Sequence, residues 1–238
     1  MLIDKVYKSK NKSYEEIIHS AYNMRSVISF IKPVNYLILR KRPELLRNID
    51  YVFCDGILAS KWFSLLLKTK IIRASFDFTS LAAPFFKYCI DNNKKVYFVG
   101  SKEAEISSFV ALIHKEYPLL EISGYQNGYF TDSDMKGIFK EMEKSNTDVL
   151  VCGMGCSRQE EFIVAASKEM PQTNLFITCG GFFHQTQESK NYYPRLINKF
   201  HLRMPYRFFK EKHTRGRLPS YPLFLYHSLI DLLKEKFK

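Results

Sequence analysis

Two glycine-bearing turns and one isolated carboxylate carry the residue types best suited to moving a proton or holding an anion. Asp55-Gly56 follows the hydrophobic run Tyr51-Val52-Phe53-Cys54. A carboxylate at the carboxyl end of a strand, beside a flexible glycine, is placed to take a proton from a substrate hydroxyl. The same residue type also caps a following helix, so the pair alone leaves both readings open. Gly153-Met154-Gly155-Cys156-Ser157-Arg158-Gln159-Glu160 joins two glycines, which let a ligand approach the backbone, to a polar helix entry. Gln159 suits an amide, a hydroxyl or a uracil edge, and a plain turn with a helix cap would use the same residues. Thr178-Cys179-Gly180-Gly181-Phe182-Phe183-His184-Gln185 repeats that design, with His184 either a substrate contact or a hydrogen-bonded structural histidine.

Three further segments are weaker. Tyr97-Phe98-Val99-Gly100-Ser101-Lys102 reads as a strand entering a helix, where free backbone amides bind phosphate, although it has neither dinucleotide nor P-loop glycine spacing. Gly124-Tyr125-Gln126-Asn127-Gly128-Tyr129-Phe130 reads as a glycine and aromatic loop that either stacks a base or sugar on Tyr129 or simply packs as a turn. Arg73 and Asp77, with Thr79 and Ser80, form a polar cluster whose Arg-Asp pair serves a ligand or is a buried structural bridge. No Asp-x-Asp metal motif, HExxH or GxSxG is expected to act here, so neither a familiar metal site nor a serine hydrolase is expected, and no metal site is assigned.

These segments need a scaffold that gathers them. Val27–Ile31, Tyr51–Cys54, Val96–Val99, Asp148–Cys152 and Asn174–Thr178 are apolar or β-branched runs of strand length. They alternate with helical patterns such as Lys102–Glu116 and Gln159–Glu169, and Ser13 with Glu16 has capping-box spacing for a first helix. That alternation predicts an α/β fold: a Rossmann-like, mostly parallel sheet covered by helices, with the ligand crevice at the strands' carboxyl ends.

The chain has 238 residues, 46% of them hydrophobic and 15% aromatic, which suits one α/β domain with an appendage and excludes disorder as the main state. No apolar run is long enough to span a bilayer, and the lysine-rich start lacks a signal-peptide core, so a cytoplasmic location is expected. The five scattered cysteines suggest small buried hydrophobes. The net charge of +12 implies an anionic partner. Seven of those twelve charges fall between Arg195 and Arg217, where eight cations face Glu211 alone among Phe200, Tyr206, Phe208 and Phe209. We therefore divide the chain into a core, 1–194, and a basic aromatic-rich helical appendage, 195–238, whose last amphipathic segment is expected over Leu223–Phe237 after Pro222. Basic and aromatic residues interleaved in this way suit anionic lipid headgroups or single-stranded nucleic acid, and composition does not separate the two.

Taken in order, the segments resemble the WecG/TagA/CpsF family of bacterial glycosyltransferases. The resemblance runs from Pro33-Val34-Asn35 through Asp55-Gly56, Arg73 to Asp77, Phe98 to Ser101, Tyr117-Pro118, Gly128-Tyr129-Phe130, Gly153-Met154-Gly155 with Gln159-Glu160, and Gly180-Gly181-Phe182, to Arg207 and Arg217. It implies inverting transfer of a sugar, an N-acetylhexosamine or a derivative, from a UDP-sugar to an undecaprenyl-diphosphate-linked sugar, without a cofactor or a required metal. On that pattern Asp55 is the general base and Gln159 joins it at the reacting centre. Asn35, Gly56, Arg73, Asp77, Gly100, Tyr129, Gly153, Gly155, Gly180, Gly181 and His184 surround the donor, and Arg203, Arg207 and Arg217 of the appendage counter the lipid diphosphate at the inner face of the cell membrane. Nucleic acid is then not an expected partner, and a homo-oligomer is left open. This sequence departs from the family at His184, where Asp is common, at Lys32-Pro33-Val34-Asn35, at Arg158 and at Arg203-Met204. The alternatives are a basic nucleic-acid-binding α/β protein and a UDP-binding scaffold without catalysis.

Overall fold

A computed structural model describes residues 1–9, 12–186, 216 and 218–236. A 3-10 turn, Leu2–Lys5, leads to α1 (Tyr14–Asn23), whose N-terminus is closed by the expected capping box: Ser13 Oγ accepts from the Glu16 amide and Glu16 returns the bond to Ser13. The chain then runs β1 (Ser26–Ile31), α2 (Pro33–Leu39), α3 (Pro43–Arg47), β2 (Tyr51–Cys54), α4 (Ile57–Leu66), α5 (Ala82–Asp91), β3 (Val96–Gly100) and α6 (Glu103–Glu116). After these come β4 (Ile122–Gln126), α7 (Met135–Lys144), β5 (Val149–Gly153), α8 (Arg158–Glu169), β6 (Leu175–Thr178), the short α9 (Phe182–Thr186) and α10 (Ser220–Lys236).

The six strands form one sheet in the order β2-β1-β6-β5-β3-β4, and every pairing is parallel. The four inner strands are buried on both faces, as a sheet covered twice must be. Alternation along β1 sends Val27 and Ile31 to one core and Ile28 and Phe30 to the other. The first core holds the side chains of α2, α4, α7, α8 and α10, the second those of α1, α5, α6 and α9. This is the Rossmann-like α/β architecture that the alternating pattern predicts.

Two local expectations are corrected. Gly124-Tyr125-Gln126 is not loop but the end of β4, an edge strand paired with β3 only, where Tyr97 lies over Gly124 in the space a side chain would need. Pro33 follows β1 and opens α2, since its missing N–H costs nothing in a first turn. The last helix begins at Ser220, ahead of the expected Leu223, because Pro222 falls in the first turn and interrupts no intrahelical bond. That helix packs on α2 and α4, with Phe224 fully buried in the first core. Four of the five cysteines are buried, as their scatter suggested, and Cys156 is half-buried.

Candidate active site

Because all six strands are parallel, their carboxyl ends share one edge of the sheet, and the turns singled out above converge there. Ile31 pairs with Cys54, Gly100 with Gly153, and Cys152 with Thr178, so the starts of α2, α4, α6 and α8 and the Gly180 turn lie along a single rim.

Asp55 is the first residue past β2; its amide donates to the Ile31 carbonyl at 2.7 Å, which fixes it beside the end of β1. The helix-cap reading does not hold, since the N-cap of α4 is Gly56 and no side chain caps that helix. Gly56 sits at φ +112°, a conformation open to glycine, between Asp55 and the first turn of α4. The Asp55 side chain is half-buried and no hydrogen bond or ion pair engages its carboxylate among the described residues. An unengaged carboxylate at a strand end is what a general base requires.

Arg73 is drawn to the same place by a bridge between its backbone and Cys54, with the Ala74 amide on the Cys54 carbonyl at 3.0 Å. Its guanidinium meets Asp77 at 2.7 Å and also bonds Ser75. Asp77 in turn accepts from Ser75 Oγ at 2.6 Å and from the Thr79 amide at 2.8 Å. The pair is half-buried rather than sealed in the core. Asp77 shapes the loop that holds Arg73 alongside Asp55. Asn35, in the first turn of α2 after β1, donates its amide to the Phe30 carbonyl at 3.3 Å, which leaves its oxygen available.

The middle of the rim is a layer of backbone. A Cβ on Gly100 would stand 2.2 Å from the Gly153 carbonyl oxygen, and one on Gly153 would stand 2.8 Å from both Cys179 Sγ and the Gly180 oxygen. Only glycines allow β3, β5 and the Gly180-Gly181 turn to approach this closely. The loop after β4 folds over this layer, its Gly128 amide on the Ser101 carbonyl at 2.9 Å and Asn127 on Glu103 at 2.8 Å. Tyr129 at its tip is 75% exposed, its ring free to stack. Gly155 opens the approach to α8 at φ +81°.

Gln159 and His184 differ in exposure. Gln159 is only 1% exposed; its amide oxygen accepts from the Gly180 N–H at 3.2 Å and its nitrogen donates to Glu160 at 2.8 Å. His184 is largely exposed and hydrogen-bonds Glu105 at 3.0 Å. Burial would raise the Glu105 carboxyl, but hydrogen bonds from His184 and the Lys102 backbone outweigh it and hold the group below its ordinary range. Arg203, Arg207 and Arg217 lie outside the described residues.

Sequence reasoning passed over two buried groups, Ser29 and Glu160, which bond each other at 2.8 Å. The lone hydroxyl of Ser29 in the otherwise apolar Val27–Ile31 run was the available signal. The expectation of no Asp-x-Asp motif is corrected, since Asp132-Ser133-Asp134 has that spacing. Asp134 caps the Thr131 turn, accepting from the Thr131 amide at 2.8 Å and hydroxyl at 2.6 Å, and those bonds lower its pKa. No cluster of three or more metal-ligating side chains occurs among the described residues.

The family model described as "Glycosyl transferase WecG/TagA/CpsF family" matches residues 6–238, which spans the rim and the appendage together. The chain belongs to that family. This WecG/TagA/CpsF member is 34% identical over 212 residues, 89% of each chain, to a UDP-Gal:alpha-D-GlcNAc-diphosphoundecaprenol beta-1,4-galactosyltransferase of Shigella boydii. It is 26% identical over 220 residues, 90% of this chain and 81% of the relative, to an N-acetylglucosaminyldiphosphoundecaprenol N-acetyl-beta-D-mannosaminyltransferase of Bacillus subtilis. A protein of the same description from Bacillus spizizenii is 26% identical over 185 residues, 76% of this chain and 68% of the relative. The chain is therefore a glycosyltransferase of the lipid-linked sugar class, and neither alternative drawn from charge or nucleotide binding alone is favoured.

Proposed function

We propose that this glycosyltransferase moves a hexose or N-acetylhexosamine from a UDP-sugar to a sugar carried on undecaprenyl diphosphate, inverting the anomeric centre, with Asp55 as the general base. The observation that carries the reading is the half-buried, unengaged Asp55 carboxylate on the rim where the glycine turns converge. Asp55 takes the acceptor hydroxyl proton as the oxygen attacks the anomeric carbon and the bond to UDP breaks. Tyr129 and Asn35 line the donor side, Gly100, Gly153, Gly155, Gly180 and Gly181 admit the diphosphate to backbone distance, and Arg73 with Asp77 and His184 border it. No cofactor enters the reaction.

The appendage, 195–238, is assigned to the acceptor and to the inner face of the cell membrane, with Arg203, Arg207 and Arg217 countering the lipid diphosphate. Leu223, Tyr226, Leu229 and Leu233 are exposed on α10, near-helical spacing that supports contact with lipid, and no described helix is long and apolar enough to cross a membrane.

The test is UDP release from a panel headed by UDP-galactose and UDP-N-acetylhexosamines, with and without a short-chain prenyl-diphosphate-linked acceptor. Acceptor-dependent release should fall about 10²- to 10⁴-fold in Asp55→Asn, the usual contribution of a positioned base. Release that survives the substitution would remove Asp55 from the role.

A further inference from the structure

The residue after Gln159 is buried deeper than Gln159 itself. Glu160 is 0% exposed, and its Oε1 accepts two hydrogen bonds at 2.8 Å, from Gln159 Nε2 and from Ser29 Oγ. Thr178 Oγ1 stands 3.5 Å behind Ser29 Oγ, and the Gln159 oxygen holds the Gly180 amide. One chain of polar groups thus runs Thr178, Ser29, Glu160, Gln159, Gly180, tying β6, β1 and α8 to the turn that follows β6. Glu160 Oε2 has no partner within hydrogen-bond geometry, the Cys156 thiol being the polar group nearest to engage the carboxyl, and no ion pair is formed by it among the described residues.

The amide orientation of Gln159 follows from its neighbours. Turned over, its nitrogen would face the Gly180 N–H, donor against donor, and its oxygen would face Glu160 Oε1, acceptor against acceptor. Glu160 therefore decides which end of Gln159 reaches Gly180. The titratable groups around the carboxyl are the Cys156 thiol of the preceding turn and the Cys152 thiol of β5, both pushed up by burial first and by Glu160 as well. Lys32 and Glu161 act on the same Cys156 thiol, and Arg158 on Cys152. Burial raises the Glu160 carboxyl above its ordinary range, and the bonds from Gln159, Ser29, the Glu160 backbone amide and the Cys156 thiol only partly oppose this. A bare charge sealed here without a counter-ion would cost far more than one unsatisfied hydroxyl.

We infer that Glu160 is a positioning residue held as the neutral acid: its carbonyl oxygen orients the Gln159 amide, and Gln159 fixes the Gly180-Gly181 turn in the shape that receives the donor. The last clause rests on the transferase reading above; the protonation state and the amide orientation do not. Gln159 thereby acts through the turn, from within the core.

Glu160→Gln keeps the acceptor oxygen and the neutral charge, whereas Glu160→Leu removes the group that Gln159 leans on. UDP-sugar turnover in Glu160→Gln should stay within about threefold of wild type, while Glu160→Leu loses about ten- to hundredfold through the misplaced turn. A loss in Glu160→Gln equal to that in Glu160→Leu would overturn the inference, because a charge would then be required. Carbon-13 NMR of side-chain carboxyls in the full chain decides independently of turnover and of whether Glu160→Leu folds. The resonance absent from Glu160→Gln should have the shift of a neutral acid at pH 7, and the shift of a carboxylate there would equally overturn it. If wild type transfers no sugar but this resonance is neutral, the transferase reading fails and the assignment of Glu160 stands.

Discussion

Truncating Phe224 to alanine tests whether α10 belongs to the folded core or merely rests on it. The ring is completely buried, edge-on to Tyr36 of α2 at 5.2 Å and to Phe63 of α4 at 5.6 Å, both of which are fully buried too. A buried phenylalanine removes about 200 Å² from water, worth roughly 5 kcal/mol at about 25 cal/mol per Å². Alanine keeps part of that and leaves a cavity, so the expected loss is about 3–5 kcal/mol. Trp62, the chain's only tryptophan, donates its indole N–H to Ser228 Oγ of α10 at 2.8 Å and so reports directly on docking of the helix. In a urea titration of wild type, tryptophan fluorescence and far-ultraviolet circular dichroism should change together. In Phe224→Ala the fluorescence transition should move to lower urea, and with it kcat/KM, since α2 carries Asn35 and α4 starts just past Asp55. A loss below about 1 kcal/mol with α10 amides still protected from hydrogen exchange would refute the reasoning.

Gly153→Ala puts a methyl 2.8 Å from the Gly180 carbonyl, a backbone atom that cannot swing aside, so we expect about 1–3 kcal/mol of destabilisation together with reduced donor turnover. Unchanged unfolding and kinetics would show that the turn yields freely. Asp231 bonds Arg40 at 2.6 Å and Tyr36 at 2.7 Å; burial raises its carboxyl, but those two partners outweigh burial and hold it below the ordinary value. A carboxylate with a lowered folded-state pKa stabilises the protein fully above its unfolded value and loses that contribution as pH falls through the lower folded one. The stability gap between wild type and Asp231→Asn should therefore be full at neutral pH and shrink below about pH 4, and a gap that does not change with pH would sink the assignment. Replacing Leu223, Tyr226 and Leu229 by serine should lower co-sedimentation with anionic liposomes at unchanged melting temperature, and equal binding would exclude this face as the lipid contact.

What could be read in the sequence and what could not divides along physical lines. The four inner strands and the largely buried edge strand β2 announced themselves because strands buried in this way are apolar over most of their length. β4 did not: it is an edge strand, half-exposed, and Gly124 interrupts it under the Tyr97 ring. The placement of Asp55 was legible, since a strand followed by Asp-Gly has its carboxylate at the rim of any parallel sheet. Its freedom from capping was not legible, because Gly56 takes the N-cap through a backbone conformation. Glu160 stayed hidden for the opposite reason. A carboxylate in the first turn of a helix ordinarily faces solvent and favours the helix dipole, and only the return of β1, 131 residues away in sequence, covers this one with Ser29.

The charges on the rim bear on how UDP leaves. Arg73 is turned to Asp77, and Arg158 lies over the Phe130 ring at 5.5 Å with its guanidinium on the Phe130 carbonyl. Two of the described arginines near the turns are thus committed to shaping loops, and a departing diphosphate would share them with those partners. At the starts of α6 and α8 the Lys102 amide is taken by Glu105 and the Gln159 amide by the Gly155 carbonyl, so an anion there meets only the other first-turn amides, which favour it by the direction of the helix dipole. On the proposed reading the appendage supplies the remaining positive charge, which explains why the chain's cations are gathered so unevenly between Arg195 and Arg217. A core that holds its own arginines in loops would release UDP efficiently only when that segment and the lipid-linked acceptor are in place, so that donor cleavage without acceptor stays slow.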